Sequence, residues 1–153
     1  DEILTAINKI MAKQAHIDKF ATMMFTIFEP QTRQIQFANG GQGPLFIYRA
    51  RDKVCTISKQ TGLPLGIDED NVYHVSKIQL APGDMVILYT DGVSEAWDHA
   101  RQEFGVHRLR QKVIDYAELS VDQIVTNIVK DIDEFSGGAE QHDDMTLVLL
   151  KVK

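Results

Sequence analysis

The sequence predicts an α+β fold in a single domain, residues 1–153, and two observations lead to this prediction. Short apolar segments separated by glycine- and proline-containing turns fill the middle of the chain, which is typical of hairpin-linked strands. Amphipathic helix patterns lie at the start and near the end. Because a helix that is apolar on one side must cover a sheet face, a layered arrangement follows.

The first helix is predicted from five apolar residues at helical spacing on one face: Ile3, Leu4, Ile7, Ile10 and Met11. The strand predictions depend on β-branched and aromatic residues between turn signals. They cover residues 20–28, 34–38, 45–48, 54–57, 72–80, 85–88 and 145–152. We expect the first two strands to form one hairpin and the next two, joined by a charged turn, to form another.

Two helices are predicted before the last strand. The first is indicated by apolar residues within 104–117, and the second by an almost continuous apolar stripe over 121–135. Ser120 and Gln123 form a capping-box pair that opens the second helix, and the glycine pair at 137–138 ends it.

Composition excludes several classes of function. The net charge of −6 argues against a nucleic-acid groove or an anionic membrane surface, and no apolar run approaches the roughly 18 residues of a membrane span. Cys55 is the only cysteine and is expected to be a buried strand residue, so a reducing, cytoplasmic location is predicted. The chain opens on Asp1 in a helix pattern without a signal peptide, and we expect it to be part of a longer protein.

Asp91 and Asp143 are the strongest functional candidates because each lies where a predicted strand meets a loop. Carboxylates on such rigid supports suit Mg²⁺ or Mn²⁺, which prefer oxygen ligands and retain several waters. Without further context, an ordinary turn pair is the favoured interpretation of Asp91-Gly92, and a solvated strand end is the alternative for Asp143-Asp144. Glu95 is expected to be a local hydrogen-bonding group.

Five motifs occur in order along the chain: residues 38–44, Gly62-x-Pro64-Leu65-Gly66-Ile67, Gly83-Asp84 leading to 89–96, Phe104-Gly105-x-x-x-Leu109, and Gln141-x-Asp143-Asp144-x-Thr146-Leu147. Together they resemble the bacterial sporulation-stage-II-E type serine/threonine phosphatases, which belong to the metal-dependent PP2C-like phosphatases. The resemblance covers essentially the whole chain.

The resemblance implies an α-β-β-α four-layer sandwich of antiparallel sheets and two Mn²⁺ or Mg²⁺ ions at the strand ends. It also implies hydrolysis of phosphoserine or phosphothreonine by a metal-activated water, often on an antagonist of an anti-sigma factor. Asp91 and Asp143 match the family's catalytic metal ligands; Gly92 and Asp144 complete the metal-site residues carried over. A sensor or receiver domain upstream in the parent chain is expected.

Two departures from the family pattern stand out. Gln42 occupies a position where histidine is common, and glutamine can form hydrogen bonds but cannot titrate. Nothing before Asp18 resembles the strand and aspartate-glycine pair whose carboxylate bridges the two metals in the family. We therefore expect an N-terminally incomplete domain that lacks its first strands and binds metal weakly by itself.

Rival interpretations remain open. One is a pseudophosphatase that keeps the sandwich as a protein-binding module, and another is an inactive fragment that forms a homodimer to cover unpaired sheet edges. Gly40-Gly41-Gln42 also resembles the tripeptide of peptide-release factors, although the acidic chain argues against that function. His142 is expected to be exposed, and Trp97 to be partly buried or to cover the mouth of the cleft.

Overall fold

The computed structural model describes residues 1–14, 19–58 and 62–153. The helices are α1 (Glu2–Gln14), α2 (Asp91–Ser94), α3 (Gly105–Asp115) and α4 (Val121–Ser136). The strands are β1 (Met23–Glu29), β2 (Gln34–Gly40), β3 (Phe46–Arg49), β4 (Val54–Ile57), β5 (Ser76–Gln79), β6 (Met85–Tyr89) and β7 (Leu147–Lys151). These elements fall into two compact units: Asp1–Gly43 with Lys59–Leu80, and Pro44–Ser58 with Ala81–Lys153.

The first unit combines α1 with an antiparallel sheet in the order β1-β2-β5. The predicted hairpin is present, since β1 pairs with β2 from Met23 opposite Gly40 to Glu29 opposite Gln34. A small core of Leu4, Ala38, Leu65 and Tyr73 lies in this unit, with the partly buried Ile7, Met11 and Phe25 packed against it. Three residues of the apolar face predicted for α1 thus contribute to a core, whereas Ile3 and Ile10, predicted on the same face, are 49% and 57% exposed.

The second unit contains a four-stranded antiparallel sheet in the order β4-β3-β6-β7, together with α2, α3 and α4. Its core joins residues of β3 and β6 to the buried faces of α3 and α4, among them Phe46, Ile87, Leu109 and Ile128. The capping box of Ser120 and Gln123 opens α4 as predicted, and α4 ends at Gly137 in the left-handed conformation. Cys55 is buried, as predicted.

Asp84 fixes the turn that leads into β6. Its buried carboxylate accepts hydrogen bonds from Arg49 Nη1 at 2.8 Å, from the Ala50 N–H at 2.9 Å and from the Ala81 N–H at 3.1 Å. Burial alone would raise the pKa of this carboxyl group, but these donors and the charge of Arg49 outweigh it, so the pKa is lowered. The Gly83-Asp84 motif therefore has a structural role, which is to anchor β6.

Two of the strand predictions differ from the structure more than the others in extent. The first predicted strand includes Phe20, but the ladder begins at Met23, and Phe20 is 63% exposed. The strand predicted over 72–80 is reduced to β5, because its ladder to β2 covers only Ser76 to Gln79. Tyr73, just before it, is instead buried and donates its hydroxyl to the Leu63 carbonyl at 2.9 Å. Within the described ranges, no helix is both long and apolar enough to cross a membrane.

Candidate active site

The pairing of β6 with β7 brings the two predicted metal-binding segments to one end of the sheet. The antiparallel register runs from Met85 opposite Lys151 to Tyr89 opposite Leu147. The chain leaving β6 at Thr90 and the chain entering β7 from Asp144 are therefore neighbours. Both segments belong to the second unit.

Thr90 joins these segments directly. Its hydroxyl donates to the carbonyl of Asp144 at 2.9 Å and accepts from the N–H of Thr146 at 2.9 Å. Its own N–H donates to the Thr146 carbonyl at 3.0 Å. Sequence reasoning did not assign a role to Thr90, although its place before Asp91 in the Thr-Asp-Gly motif was the available signal. Thr90 is thus a positioning residue for the candidate site.

Gly92 is required by the close approach of the opposite segment. A Cβ atom at this position would lie 2.5 Å from the Asp144 carbonyl oxygen, 2.9 Å from its carbonyl carbon and 3.1 Å from the Asp143 carbonyl oxygen. These are backbone atoms, which cannot turn away as the end of a flexible side chain could. The structure therefore brings Asp91-Gly92 and Asp143-Asp144 together, as the metal-site hypothesis requires.

The two carboxylates are exposed and are fixed by local hydrogen bonds. Asp91 Oδ1 accepts from the Gly92 N–H at 3.1 Å, and Asp143 Oδ1 accepts from the Asp144 N–H at 2.7 Å. Gln141 Nε2 donates to the Asp143 carbonyl at 2.6 Å, and this bond stabilises the segment that carries Asp143. Oriented carboxylate oxygens are the donor type that Mg²⁺ and Mn²⁺ prefer, so the residues present fit such an ion.

The described residues do not include a complete set of metal ligands. Across 1–14, 19–58 and 62–153, no three His, Cys, Asp or Glu side chains are grouped so as to hold a metal ion. A metal ion bound at Asp91, Asp143 and Asp144 would therefore need ligands beyond the described residues.

A group of three side chains, which we call the Trp97 cluster, lies next to the carboxylate segment. Its members are Trp97, Arg101 and His142. The rings of Trp97 and His142 stack at 4.0 Å between centroids and 13° between planes, and the guanidinium carbon of Arg101 lies 4.0 Å from the centre of the Trp97 ring. Trp97 Nε1 donates to the Glu140 carbonyl at 3.0 Å, and His142 Nε2 lies 3.9 Å from Glu95 Oε2.

This cluster refines two sequence predictions. Trp97 is partly buried, as predicted. His142 is an exposed residue, but its side chain is only 28% exposed because the ring packs against Trp97. Glu95 was expected to form hydrogen bonds within its loop; its carboxylate instead lies beside His142. Nothing in the sequence spacing predicted that Arg101 would stack on Trp97, since the contact depends on the fold of the loop between them.

Gln42, the first of the two predicted departures from the family pattern, belongs to the first unit. Its N–H donates to Asn39 Oδ1 at 2.9 Å, its carbonyl accepts from Asn39 Nδ2 at 3.0 Å, and its Oε1 accepts from Thr22 Oγ1 at 3.2 Å. Asn39 is fully buried, so these bonds hold the glycine loop to β2. Gly41 in this loop has a φ of 80°, the left-handed region that favours glycine.

The fold is that of PP2C phosphatase domains. The SiaA-PP2C domain of Pseudomonas aeruginosa matches with a TM-score of 0.83 at 21% identity, over 99% of this chain and 60% of that chain. The phosphatase domain of SpoIIE from Bacillus subtilis, presoaked with Mn, matches with a TM-score of 0.71 at 21% identity, over 99% of this chain and 66% of that one. These matches confirm the predicted PP2C-like fold of α-helices and antiparallel sheets.

The chain belongs to the stage II sporulation protein E (SpoIIE) family, whose model matches residues 1–153. Among curated relatives, phosphoserine phosphatase RsbU of Bacillus subtilis is 28% identical over 99% of this chain and 45% of its own length. Protein IcfG of Synechocystis is 28% identical over 91% of this chain and 22% of its own length. The chain therefore spans less than half of these relatives.

Proposed function

We propose that this chain is the phosphatase portion of a bacterial signalling protein, a metal-dependent protein serine/threonine phosphatase. The observation that carries the proposal is the contact between Asp91-Gly92 and Asp143-Asp144, which is so close that only glycine fits at position 92. Membership of the SpoIIE family supports it, as does the similarity to a relative named a phosphoserine phosphatase.

In this proposal, Asp91, Asp143 and Asp144 hold one or two Mn²⁺ or Mg²⁺ ions together with ligands from elsewhere in the parent protein. Bound metal would lower the pKa of a water molecule and stabilise charge on the phosphoryl oxygens. Thr90 and Gly92 keep the two acidic segments at contact distance, and the local N–H donors orient the carboxylates. Because the described ligand set is small, metal binding by residues 1–153 alone should be weak.

The proposed substrate is phosphoserine or phosphothreonine on a bacterial signalling protein, with an anti-sigma factor antagonist as the first candidate because of the family resemblance. A cytoplasmic location and an upstream sensor or receiver domain fit the same function. We propose that residues 1–153 belong to one catalytic domain, which needs further N-terminal residues for full activity. A protein-binding pseudophosphatase remains the rival.

Hydrolysis of p-nitrophenyl phosphate with Mn²⁺ or Mg²⁺ tests the proposal. The assay compares the full-length protein, residues 1–153 and the Asp91→Ala and Asp143→Ala variants. We expect metal-dependent turnover in the full-length protein and a loss of about 100-fold or more in each variant. Asp52→Ala is the matched control, since Asp52 is an exposed aspartate in the turn before β4.

Two results would contradict the proposal. Equal turnover in Asp91→Ala and the unmodified protein would remove Asp91 from the site, and a full-length protein inactive with both metals would favour the pseudophosphatase. Calorimetric titration of Mn²⁺ into residues 1–153 tests the ligand count separately. Micromolar affinity there would show that the chain needs no further ligands.

A further inference from the structure

The Trp97 cluster lines a surface recess of about 540 Å³ beside the candidate active site. Its wall continues along residues 138–142 into Asp143, so a molecule in the recess would lie next to the carboxylate segment. Among the described residues that line it, Arg101 is the only permanently charged cation, while Asp98 and Glu140 are acidic. A single arginine in acidic surroundings would ordinarily be expected to pair with a carboxylate.

Arg101 does not form such a pair with the described residues. Its guanidinium contacts the Trp97 ring, and no described carboxylate forms an ion pair with it. Asp98, an acidic residue that lines the same recess, uses Oδ1 to accept from the N–H groups of Ala100 at 2.8 Å and Gln102 at 2.9 Å. Because stacking uses the face of the guanidinium, its N–H donors at the edge remain available for a ligand.

The loop that carries Arg101 is tightly constrained. Asp98 and Gln102 pair through the bond from the Asp98 N–H to the Gln102 carbonyl at 3.0 Å, and Trp97 bridges to Glu103. Arg101 has a φ of 60°, in the left-handed region that favours glycine. Arg33 and Lys53 have similar φ values, so this conformation is accessible to a basic residue and does not by itself explain why position 101 is arginine.

We propose that Arg101 is a specificity-determining residue that binds a carboxylate of an acidic residue flanking the phosphoserine of the substrate. This inference depends on the proposed phosphatase function. The Trp97 ring, itself stacked on His142, holds the guanidinium, so less side-chain freedom is lost on binding than for a mobile arginine. The planar fork of donors suits a carboxylate bound by two hydrogen bonds.

Binding without turnover provides the direct test. Trp97 is the only tryptophan in the chain, so its fluorescence reports on the cluster. Unphosphorylated serine peptides with aspartates or with alanines beside the serine are titrated into the full-length protein. The fluorescence change of a Trp97→Phe variant is measured in the same titration and subtracted, which leaves the signal of Trp97. We expect the acidic peptide to bind about tenfold more tightly than the alanine peptide.

Variants at position 101 separate a binding role from a structural role. Arg101→Gly relieves the left-handed backbone while removing the guanidinium, so it should fold at least as stably and lose the preference for acidic peptides. Arg101→Lys keeps the charge but not the fork, and should retain part of the preference. Arg108→Ala is the control, because Arg108 also stacks on an aromatic ring, that of Phe135 at 4.4 Å, but belongs to α3 outside the recess.

The corresponding phosphopeptides give a kinetic test. Arg101→Gly should raise KM for the acidic phosphopeptide about tenfold with a smaller change in kcat, whereas Arg108→Ala should not. Equal binding of both peptides, or an unchanged preference in Arg101→Gly, would overturn the proposal. The proposal would also be overturned if inorganic phosphate competed with the peptides while the flanking aspartates had no effect on binding. Arg101 would then bind the phosphoryl group instead of a carboxylate. Failure of p-nitrophenyl phosphate hydrolysis in the full-length protein would instead count against the phosphatase function.

Discussion

The replacement of Gly92 by alanine tests the closeness of the two acidic segments. The new Cβ would lie 2.5 Å from the Asp144 carbonyl oxygen, whereas ordinary contacts begin at 3.4 Å, so the segments must separate by about 0.9 Å. Overpacking of this kind costs about 1–3 kcal/mol of stability. Gly92 also lies in the short helix α2, where alanine is favoured by at most about 1 kcal/mol. We therefore expect net destabilisation.

The effect on activity should exceed the effect on stability. A displacement of about 1 Å at reacting groups can lower the rate about 100-fold, so Gly92→Ala should lose most metal-dependent hydrolysis while remaining folded. Urea unfolding and p-nitrophenyl phosphate hydrolysis measure the two effects. Gly43→Ala is the control, because nothing lies within 4 Å of a Cβ at that position. If Gly92→Ala matched Gly43→Ala in both assays, the assignment of the site would be refuted.

Three further predictions concern other residues of the second unit. Thr90→Val removes the hydroxyl that bonds to Asp144 and Thr146 and should lower the free energy of unfolding in urea by about 1–3 kcal/mol. Thr90→Ser keeps a hydroxyl and should retain most of the stability of the unmodified protein. Asp84→Asn should cost about 2–4 kcal/mol at pH 7. The pKa of Asp84 is lower in the folded protein than in the unfolded chain. The contribution of Asp84 to the free energy of unfolding is therefore complete above the unfolded pKa of about 3.9 and is lost as the pH falls through the folded pKa. The two proteins should therefore converge in stability at acidic pH, and a constant difference would contradict this account. Burial raises the pKa of Cys55 to about 11, so a thiol reagent at pH 8 should label it only after unfolding; rapid labelling of the native protein would contradict its burial.

The sequence predicted the elements of the second unit well where local chemistry determines them. The capping box at Ser120 and the apolar stripe of α4 both lie within one helix, so they can be recognised without knowledge of the fold. The charged turn between β3 and β4 is similarly local. The ends of strands were less predictable. The length of β5 is determined by its pairing with β2, and the residues of β5 alone do not indicate that pairing.

The candidate site was predictable only in part. Asp91 and Asp143 could be selected because both lie at strand ends, but their proximity follows from the pairing of β6 with β7, which the sequence does not show. The link through Thr90 also depends on that pairing. The stacking of Arg101 on Trp97 depends on a loop held by Asp98, and no sequence motif indicates that contact.

The structure also separates residues that build the site from residues that could select its substrate. Gly92 is fixed by a backbone contact and Thr90 by two hydrogen bonds, and both lie within the motifs shared with the family. His142 instead occupies the unspecified position of the motif Gln141-x-Asp143, and Trp97 and Arg101 lie between two motifs. None of these three side chains forms the close contact between Gly92 and Asp144. In the proposed phosphatase, side chains outside that contact but beside the carboxylates can change the substrate preference while the two acidic segments remain the same.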